Sequence, residues 1–296
     1  MDKQRQGVKP SMKVAILLLA LLLGLAVFFI SVLSLNLTGV DVTSRSAKLG
    51  MQTLSEVLVF LLPALLSVWL CDGSLSQLFG VRIRHSRWQF FVGGLVVWGT
   101  SLTIVSVLTS WNESLHFPVS MQALEQTLRA FSESSEREIE LLLSGRGLDS
   151  LMYALLAVAV VPAVCEEFFF RGALQNFVRQ WWGNEHVAVW LTAVIFSVAH
   201  GDVFGFLPRM AMGALLGYLY FRSGTIWVNT LVHCMNNGVL VLCYMLLPHD
   251  GQLFHALIEN KVGIPWWLIL LSCVCLAAVY CGVFLRGKNS DQVEVR

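Results

Sequence analysis

Charged side chains are scarce in this 296-residue chain. Asp, Glu, Lys and Arg make up 13% of it and hydrophobic residues make up 56%, whereas soluble domains carry about 25% charged residues. This shortage excludes an ordinary soluble domain and indicates a polytopic membrane protein. The net charge of +1 gives no support for nucleic-acid binding or for a strongly acidic partner.

Several motifs of known enzyme classes are also missing. The seven cysteines show no CxxC spacing, so we interpret them as small core residues rather than as a zinc or redox site. The chain has no HExxH, no GxSxG, and neither a Ser-Lys set nor a pair of Asp residues in its apolar runs. These absences disfavour serine and aspartyl intramembrane proteases, and no local motif demands zinc.

Long apolar runs are plentiful, and each is long enough for a helix. The first has 22 residues, which exceeds the core of a signal peptide and predicts a retained helix. Together the runs predict an all-α, polytopic membrane bundle of about eight transmembrane helices. The runs are 14–35, 51–70, 89–110, 150–170, 187–200, 206–221, 226–247 and 265–285.

The distribution of Lys and Arg predicts the orientation. If the N-terminus is cytoplasmic, 13 of the 20 basic residues lie on the cytoplasmic side, as the positive-inside rule requires. We therefore expect a multi-pass protein of the cell (inner) membrane with both termini in the cytoplasm. The basic residues on that side are Lys3, Arg5, Lys9, Lys13, Arg82, Arg84, Arg87, Arg171, Arg179, Arg222, Arg286, Lys288 and Arg296.

We divide the chain into three parts. Residues 1–149 hold three transmembrane helices and an acidic insertion, 111–149, that the topology places outside. Its apolar residues recur at helical spacing, which predicts one or two amphipathic helices forming either a solvated or interfacial hairpin or a substrate gate. Residues 150–247 form a core of four helices, and residues 248–296 form the last helix and a cytoplasmic tail.

Glu166, Glu167 and Arg171 are charged residues in or beside an apolar run, where charge is costly and commonly functional. Glu167 and Arg171 are four residues apart, so on a helix they predict a local ion pair. Glu166 lies about 100° round the helix without a local cation and is left for chemistry. We expect this helix to continue past Arg171 towards Gln180.

Other polar residues occur in later runs. His200 follows Phe196 by four residues, and His233 and Asn237 share one face of another helix. We expect Asn229 and Asn236 to lie on faces other than the one that His233 and Asn237 share. Two glutamates, two histidines and an asparagine on three segments predict a shared polar site. Glycines also occur at GxxxG spacing, Gly213 and Gly217, and predict close helix packing.

Two chemistries fit these side chains. In the first, Glu166 deprotonates a water with the help of His200, while His233 and Asn237 donate to the oxyanion of amide hydrolysis. This predicts a peptidase without a covalent intermediate and without a cofactor. In the second, His200, His233 and Glu166 bind a catalytic zinc with an open water position. We favour the metal-free mechanism.

In these residues the chain resembles the CPBP family, which comprises the CAAX prenyl endopeptidases and bacteriocin-processing or immunity proteins of the Abi type. The family motif EExxxR is matched by Glu166 to Arg171, FxxxH by Phe196 to His200 and HxxxN by His233 to Asn237. The three motifs stand in the family's order within residues 150–247.

The resemblance implies an intramembrane glutamic or metallo-endopeptidase that usually has eight helices. It implies that Glu166 and His200 activate water, that His233 and Asn237 form the oxyanion hole, and that Glu167 and Arg171 brace the site. The expected partners are the lipid bilayer and a membrane-embedded or lipid-associated protein or peptide substrate. A non-catalytic membrane scaffold or bacteriocin-immunity protein is the alternative; a proton-coupled transporter is disfavoured because no repeated broken helices occur.

Overall fold

The computed structural model describes residues 8–72, 75, 88–251, 254, 265–279 and 281. The ordered elements within those ranges are helical, and no strand occurs among them, so the predicted all-α class is confirmed. The main helices are α1 Pro10–Leu37, α2 Arg45–Asp72, α3 Trp88–Glu113, α4 Gln122–Leu143, α5 Leu148–Trp182, α6 Glu185–Ala199, α7 Phe206–Ser223, α8 Ile226–Leu246 and α9 Trp266–Val279.

All eight predicted apolar runs form helices over their described residues. Five of these helices, α1, α2, α3, α5 and α8, are long and apolar enough to cross a membrane, and α6 and α9 are shorter apolar helices. The chain is therefore a multi-pass membrane protein. The total of eight crossings stays a prediction. The orientation also stays a prediction, because many of the basic residues that define it lie outside the described residues. Most of the predicted C-terminal tail lies outside them too.

The outer helices present large apolar side chains to their surroundings. On α1, Leu22 is 62% exposed and Phe29 is 66% exposed. Such a surface would be unfavourable in water over so large an area, whereas lipid tails solvate it well. The outward faces therefore fit a bilayer.

Helix α5 runs without a break from Leu148 to Trp182, which confirms its predicted extension beyond Arg171. Two stretches of it, Leu155–Val160 and Phe168–Gln175, are wound as wider π-type turns. Pro162 follows the first stretch by two residues, and Pro63 stands in the same relation to a π-type stretch of α2, Glu56–Leu61. Proline lacks an N–H and crowds the preceding turn, and the wider winding accommodates it.

Helices α2 and α5 pack side by side through aromatic rings. The Phe60 ring lies 5.4 Å from that of Phe169, edge to face, and 5.6 Å from that of Phe170. Phe170 in turn meets Phe196 of α6 at 5.1 Å. This buried cluster fixes the relative register of the three helices beside the polar residues of α5.

The acidic insertion forms a single amphipathic helix, α4, preceded by a short 3-10 turn, Val119–Met121. The Ser132 hydroxyl donates to the Asp202 carboxylate at 2.9 Å in the loop between α6 and α7. At the other end, Arg45 Nε donates to the Leu142 carbonyl at 2.8 Å. Helix α4 thus lies across the bundle and joins the start of α2 to the loop after α6.

Candidate active site

Glu167 is the centre of a fully buried polar cluster. Arg171 Nη1 donates to its Oε1 at 2.7 Å, His233 Nδ1 lies 2.8 Å from the same oxygen, and Asn229 Nδ2 donates to Oε2. Glu167 and Arg171 are both 0% exposed. The predicted ion pair between them is therefore present, and the carboxylate is satisfied on both oxygens as burial requires.

The expectation that Asn229 faces away from the site was wrong. Asn229 is fully buried and bonds to Glu167. It precedes His233 by four residues, as His233 precedes Asn237, so on α8 all three occupy one face. The spacing itself contained this signal, since residues four apart on a helix lie about 40° apart in rotation.

The two glycines of the GxxxG spacing in α7 receive hydrogen bonds from α5. Arg171 Nη2 donates to the Gly213 carbonyl at 2.9 Å and Gln175 Nε2 donates to the Gly217 carbonyl at 3.1 Å. A Cβ on Gly213 would lie 3.2 Å from the Ala193 Cα, and one on Gly217 would lie 2.7 Å from Gln175 Oε1. The glycines therefore permit close packing, as predicted, and also expose backbone oxygens to polar side chains.

Glu166 has a different environment from its neighbour. Its side chain is buried, its Oε2 lies 3.9 Å from His233 Nε2, and this oxygen has no hydrogen-bond partner within the described residues. A buried carboxylate oxygen without a partner is unusual. The structure thus places next to His233 one carboxylate that is fully engaged, Glu167, and one that is available, Glu166.

His200 stands at the end of α6 and is exposed. Its Nδ1 lies 2.8 Å from the Phe196 carbonyl, and since a carbonyl only accepts, Nδ1 donates and Nε2 is left for another partner. The Phe196 ring lies 4.8 Å from the His200 ring and 6.0 Å from that of His233. No hydrogen bond joins His200 to Glu166 in the described part of the chain.

Asn237 lies one helical turn beyond His233. Its Nδ2 is 3.4 Å from the Val158 carbonyl of α5, a long contact that leaves the amide accessible to another acceptor. Asn236 accepts a hydrogen bond from Trp98 of α3 at 3.3 Å, and its Nδ2 donates to Asn237 Oδ1 at 3.4 Å. The structure therefore brings Glu166, Glu167, Arg171 and His233 into one cluster, with His200 and Asn237 at its sides.

The described residues do not arrange three His, Cys, Asp or Glu side chains so that they could hold a metal ion. The set His200, His233 and Glu166 is therefore not gathered as a zinc site in this arrangement. The metal-free mechanism and the zinc alternative both stay predictions.

The fold and the cluster define a class: a polytopic helical membrane protein with a buried Glu, His, Arg and Asn cluster between α5, α7 and α8. Residues 148–239 match the family of the type II CAAX prenyl endopeptidases, Rce1-like. The resemblance stated from the three motifs is thereby confirmed over these residues.

Two curated proteins are similar over about a third of this chain. One is YdiL of Bacillus subtilis (strain 168), named as a candidate membrane peptidase, with 32% identity over 92 residues, which cover 30% of this chain and 36% of YdiL. The other is MroQ of Staphylococcus aureus (strain USA300), named a membrane-embedded CAAX protease, with 30% identity over 100 residues, 31% of this chain and 39% of MroQ. The chain thus spans less than two fifths of either relative, and no solved structure matches it.

Proposed function

We propose that the protein is an intramembrane endopeptidase that hydrolyses a peptide bond of a membrane-associated protein or peptide. One observation carries the proposal: the buried Glu166 carboxylate keeps a free oxygen beside His233, while Glu167 is fully hydrogen-bonded. The family match over residues 148–239 and the two similar membrane proteins support it.

In the proposed reaction Glu166 accepts one proton from a water molecule. The water oxygen attacks the carbonyl carbon of the scissile bond, and the carbonyl π electrons move to its oxygen, which becomes a tetrahedral oxyanion. When this intermediate collapses, the C–N bond breaks and Glu166 returns the proton to the leaving nitrogen. The products are a carboxylic acid and an amine, and the enzyme is restored.

The oxyanion needs donors, and we assign this role to His233 and Asn237. His233 Nδ1 bonds to the Glu167 carboxylate, so only the imidazolium form has a second hydrogen, on Nε2, to donate. His200, whose Nε2 is available as an acceptor because Nδ1 donates to the Phe196 carbonyl, is assigned to sharing the proton that Glu166 takes from the water.

Arg171 and Glu167 are positioning residues in this mechanism. Arg171 joins Glu167 to the Gly213 carbonyl, and Glu167 joins Arg171 to His233. A rigid support of this kind keeps the oxyanion donors in place before the substrate arrives, which is the basis of electrostatic catalysis.

We further propose that the working unit is residues 150–247, that residues 1–149 and 248–296 flank it, and that the protein lies in the inner membrane with both termini cytoplasmic. The family match to residues 148–239 supports the first part. The bilayer is then the first partner, and the substrate is a protein or peptide held in it or attached to it by lipid.

The test compares new peptide termini in the membrane proteome of cells that carry the wild-type chain or Glu166→Gln at equal abundance. Glutamine keeps the shape of the side chain but cannot accept the proton, so we expect termini that occur with the wild type and are absent with the variant. The matched control is Glu138→Gln, the same exchange at a side chain that is 55% exposed on α4. Equal termini with Glu166→Gln and wild type would overturn the proposal.

A membrane scaffold or immunity protein is the second candidate. It is favoured by the exposed apolar residues of the insertion, among them Phe131, which is 51% exposed, and Leu124, which is 45% exposed. A cellular phenotype that persists with Glu166→Gln and is lost with Phe131→Ser would support this function instead.

A further inference from the structure

Glu56 is a buried carboxylate that none of the motifs includes. It lies within the apolar part of α2, and its side chain is only 4% exposed. Gln52, one turn earlier, donates to its Oε1 at 2.9 Å, and its Oε2 is buried without a hydrogen-bond partner within the described residues. Buried carboxylates normally have cations or several donors around them, so the free oxygen of Glu56 requires a reason.

The packing of α2 against α5 places Glu56 beside Glu166. The Phe60 ring contacts the Phe169 and Phe170 rings, which fixes the register of the two helices. Glu56 precedes Phe60 by four residues on α2, and Glu166 precedes Phe170 by four residues on α5. The stretch Glu56–Leu61 packs against Val161–Glu167 along the same line.

Electrostatics agree with this placement. The Glu56 carboxylate is close enough to interact through its charge with Glu166 and with the neighbouring Cys165. Glu166 Oε2 and Glu56 Oε2 are thus two buried acceptor oxygens, each without a partner, on helices that pack together at this point. Such a pair of acceptors is stable only if hydrogens are supplied between them, and a water molecule supplies two.

We propose that Glu56 is a positioning residue of the hydrolytic site and that its free carboxyl oxygen holds the attacking water beside Glu166. This inference rests on the proposed function. One hydrogen of the water points to Glu166 and is the proton that Glu166 accepts, and the other points to Glu56 and stays on the oxygen. With both hydrogens directed, the water presents a lone pair to the scissile carbonyl.

The test uses Glu56→Leu and Glu56→Asp in the full chain, reconstituted in vesicles. The substrate is a fluorogenic peptide copied from the strongest cleavage site found in the terminus comparison. With Glu56→Leu we expect kcat to fall about 10- to 100-fold, as for a misplaced reactant, with KM within about twofold. Glu56→Asp keeps a carboxylate, so we expect it to recover part of kcat. Glu138→Gln is the control.

Thermal stability separates positioning from a structural role. Replacement of a buried carboxyl that lacks a full set of partners by an apolar side chain of similar volume is neutral or stabilising, so Glu56→Leu should keep or raise Tm while it lowers kcat. A kcat within twofold of the wild type, or a loss of kcat that follows a loss of Tm, would overturn the inference. Activity retained by Glu166→Gln would instead overturn the proposed function.

Discussion

His233 Nδ1 lies 2.8 Å from Glu167 Oε1, and Arg171 shares that oxygen at 2.7 Å. A single carboxylate therefore joins the cation of α5 to the histidine of α8. The order of the EExxxR motif follows from this geometry, because the second glutamate faces Arg171 at i,i+4 while the first is turned away from it and left free.

Glu167→Gln should unfold the protein more readily and should also inactivate it. The variant leaves Arg171 buried with no negative partner, and removal of one member of a buried pair typically costs about 3–5 kcal/mol. Thermal unfolding in detergent measures the effect. Glu133→Gln is the control, since its pair with Arg137 is 64% and 65% exposed and should change stability by less than about 1 kcal/mol. Equal stability of the two variants would contradict the central role of Glu167.

Asn237→Ala should lower kcat by about 10²- to 10³-fold, the usual cost of one oxyanion donor, and should leave Tm nearly unchanged because its contact with Val158 is long. The control is Asn36→Ala on α1, an exposed amide that donates to the Val32 carbonyl of its own helix and should keep kcat within a few-fold. Kinetics with the fluorogenic peptide measure both. An effect at Asn237 no larger than that at Asn36 would refute the assignment.

Gly213→Ala should destabilise the bundle and reduce activity. The added Cβ would lie 3.2 Å from Ala193 Cα and from Phe196, so α6 and α7 must separate and the bond from Arg171 to the Gly213 carbonyl lengthens. Gly99→Ala on α3 is the matched control, because its Cβ meets no atom within 4 Å and alanine favours a helix by up to about 1 kcal/mol. A Tm for Gly213→Ala as high as that of Gly99→Ala would be inconsistent with close packing here.

The segment before α4 that contains His116 and Phe117 should bind less tightly to α4 at acid pH. The pKa of Glu125 is lowered to about 2 because the Phe117 N–H donates to its carboxylate, with further bonds from His116 and Arg129. The folded pKa lies below the usual value of 4.5, so this contribution to stability is complete above about pH 4.5 and is lost as the pH falls towards 2.

Comparison of the wild type with Glu125→Gln tests this pH dependence. The difference in Tm between the two should be constant near neutral pH and should shrink as the pH falls from about 4.5 towards 2. Trypsin should also cleave at Arg129 faster in the variant at neutral pH. A difference in Tm that grows as the pH falls would contradict this prediction.

Removal of metal should leave activity intact, since the proposed water activation depends on Glu166. We expect the same kcat before and after exhaustive dialysis against a chelator, with metal content measured in the same samples. Loss of activity with recovery on addition of zinc would favour the alternative in which His200, His233 and Glu166 are ligands.

Spacing within one helix predicted the local features well. The Glu167 to Arg171 ion pair and the shared face of His233 and Asn237 depend on the rotation along a single helix. The length of α5 depends on the lack of a strong helix breaker after Arg171, and a sequence shows both features directly. Asn229 was detectable in the same way and was missed. Glu56 had a weaker signal, a lone carboxylate in an apolar run, and only the register between α2 and α5, set by Phe60, places it near Glu166.

The two bonds from α5 to the glycine carbonyls of α7 limit how the site opens. Arg171 and Gln175 bond to Gly213 and Gly217, so a shift of one helix along the other would break both bonds together and leave a buried guanidinium without its carbonyl. These helices therefore behave as one rigid wall. The contact of α4 with the loop after His200 differs, because Asp202 keeps its bond from Arg209 when its bond from Ser132 breaks.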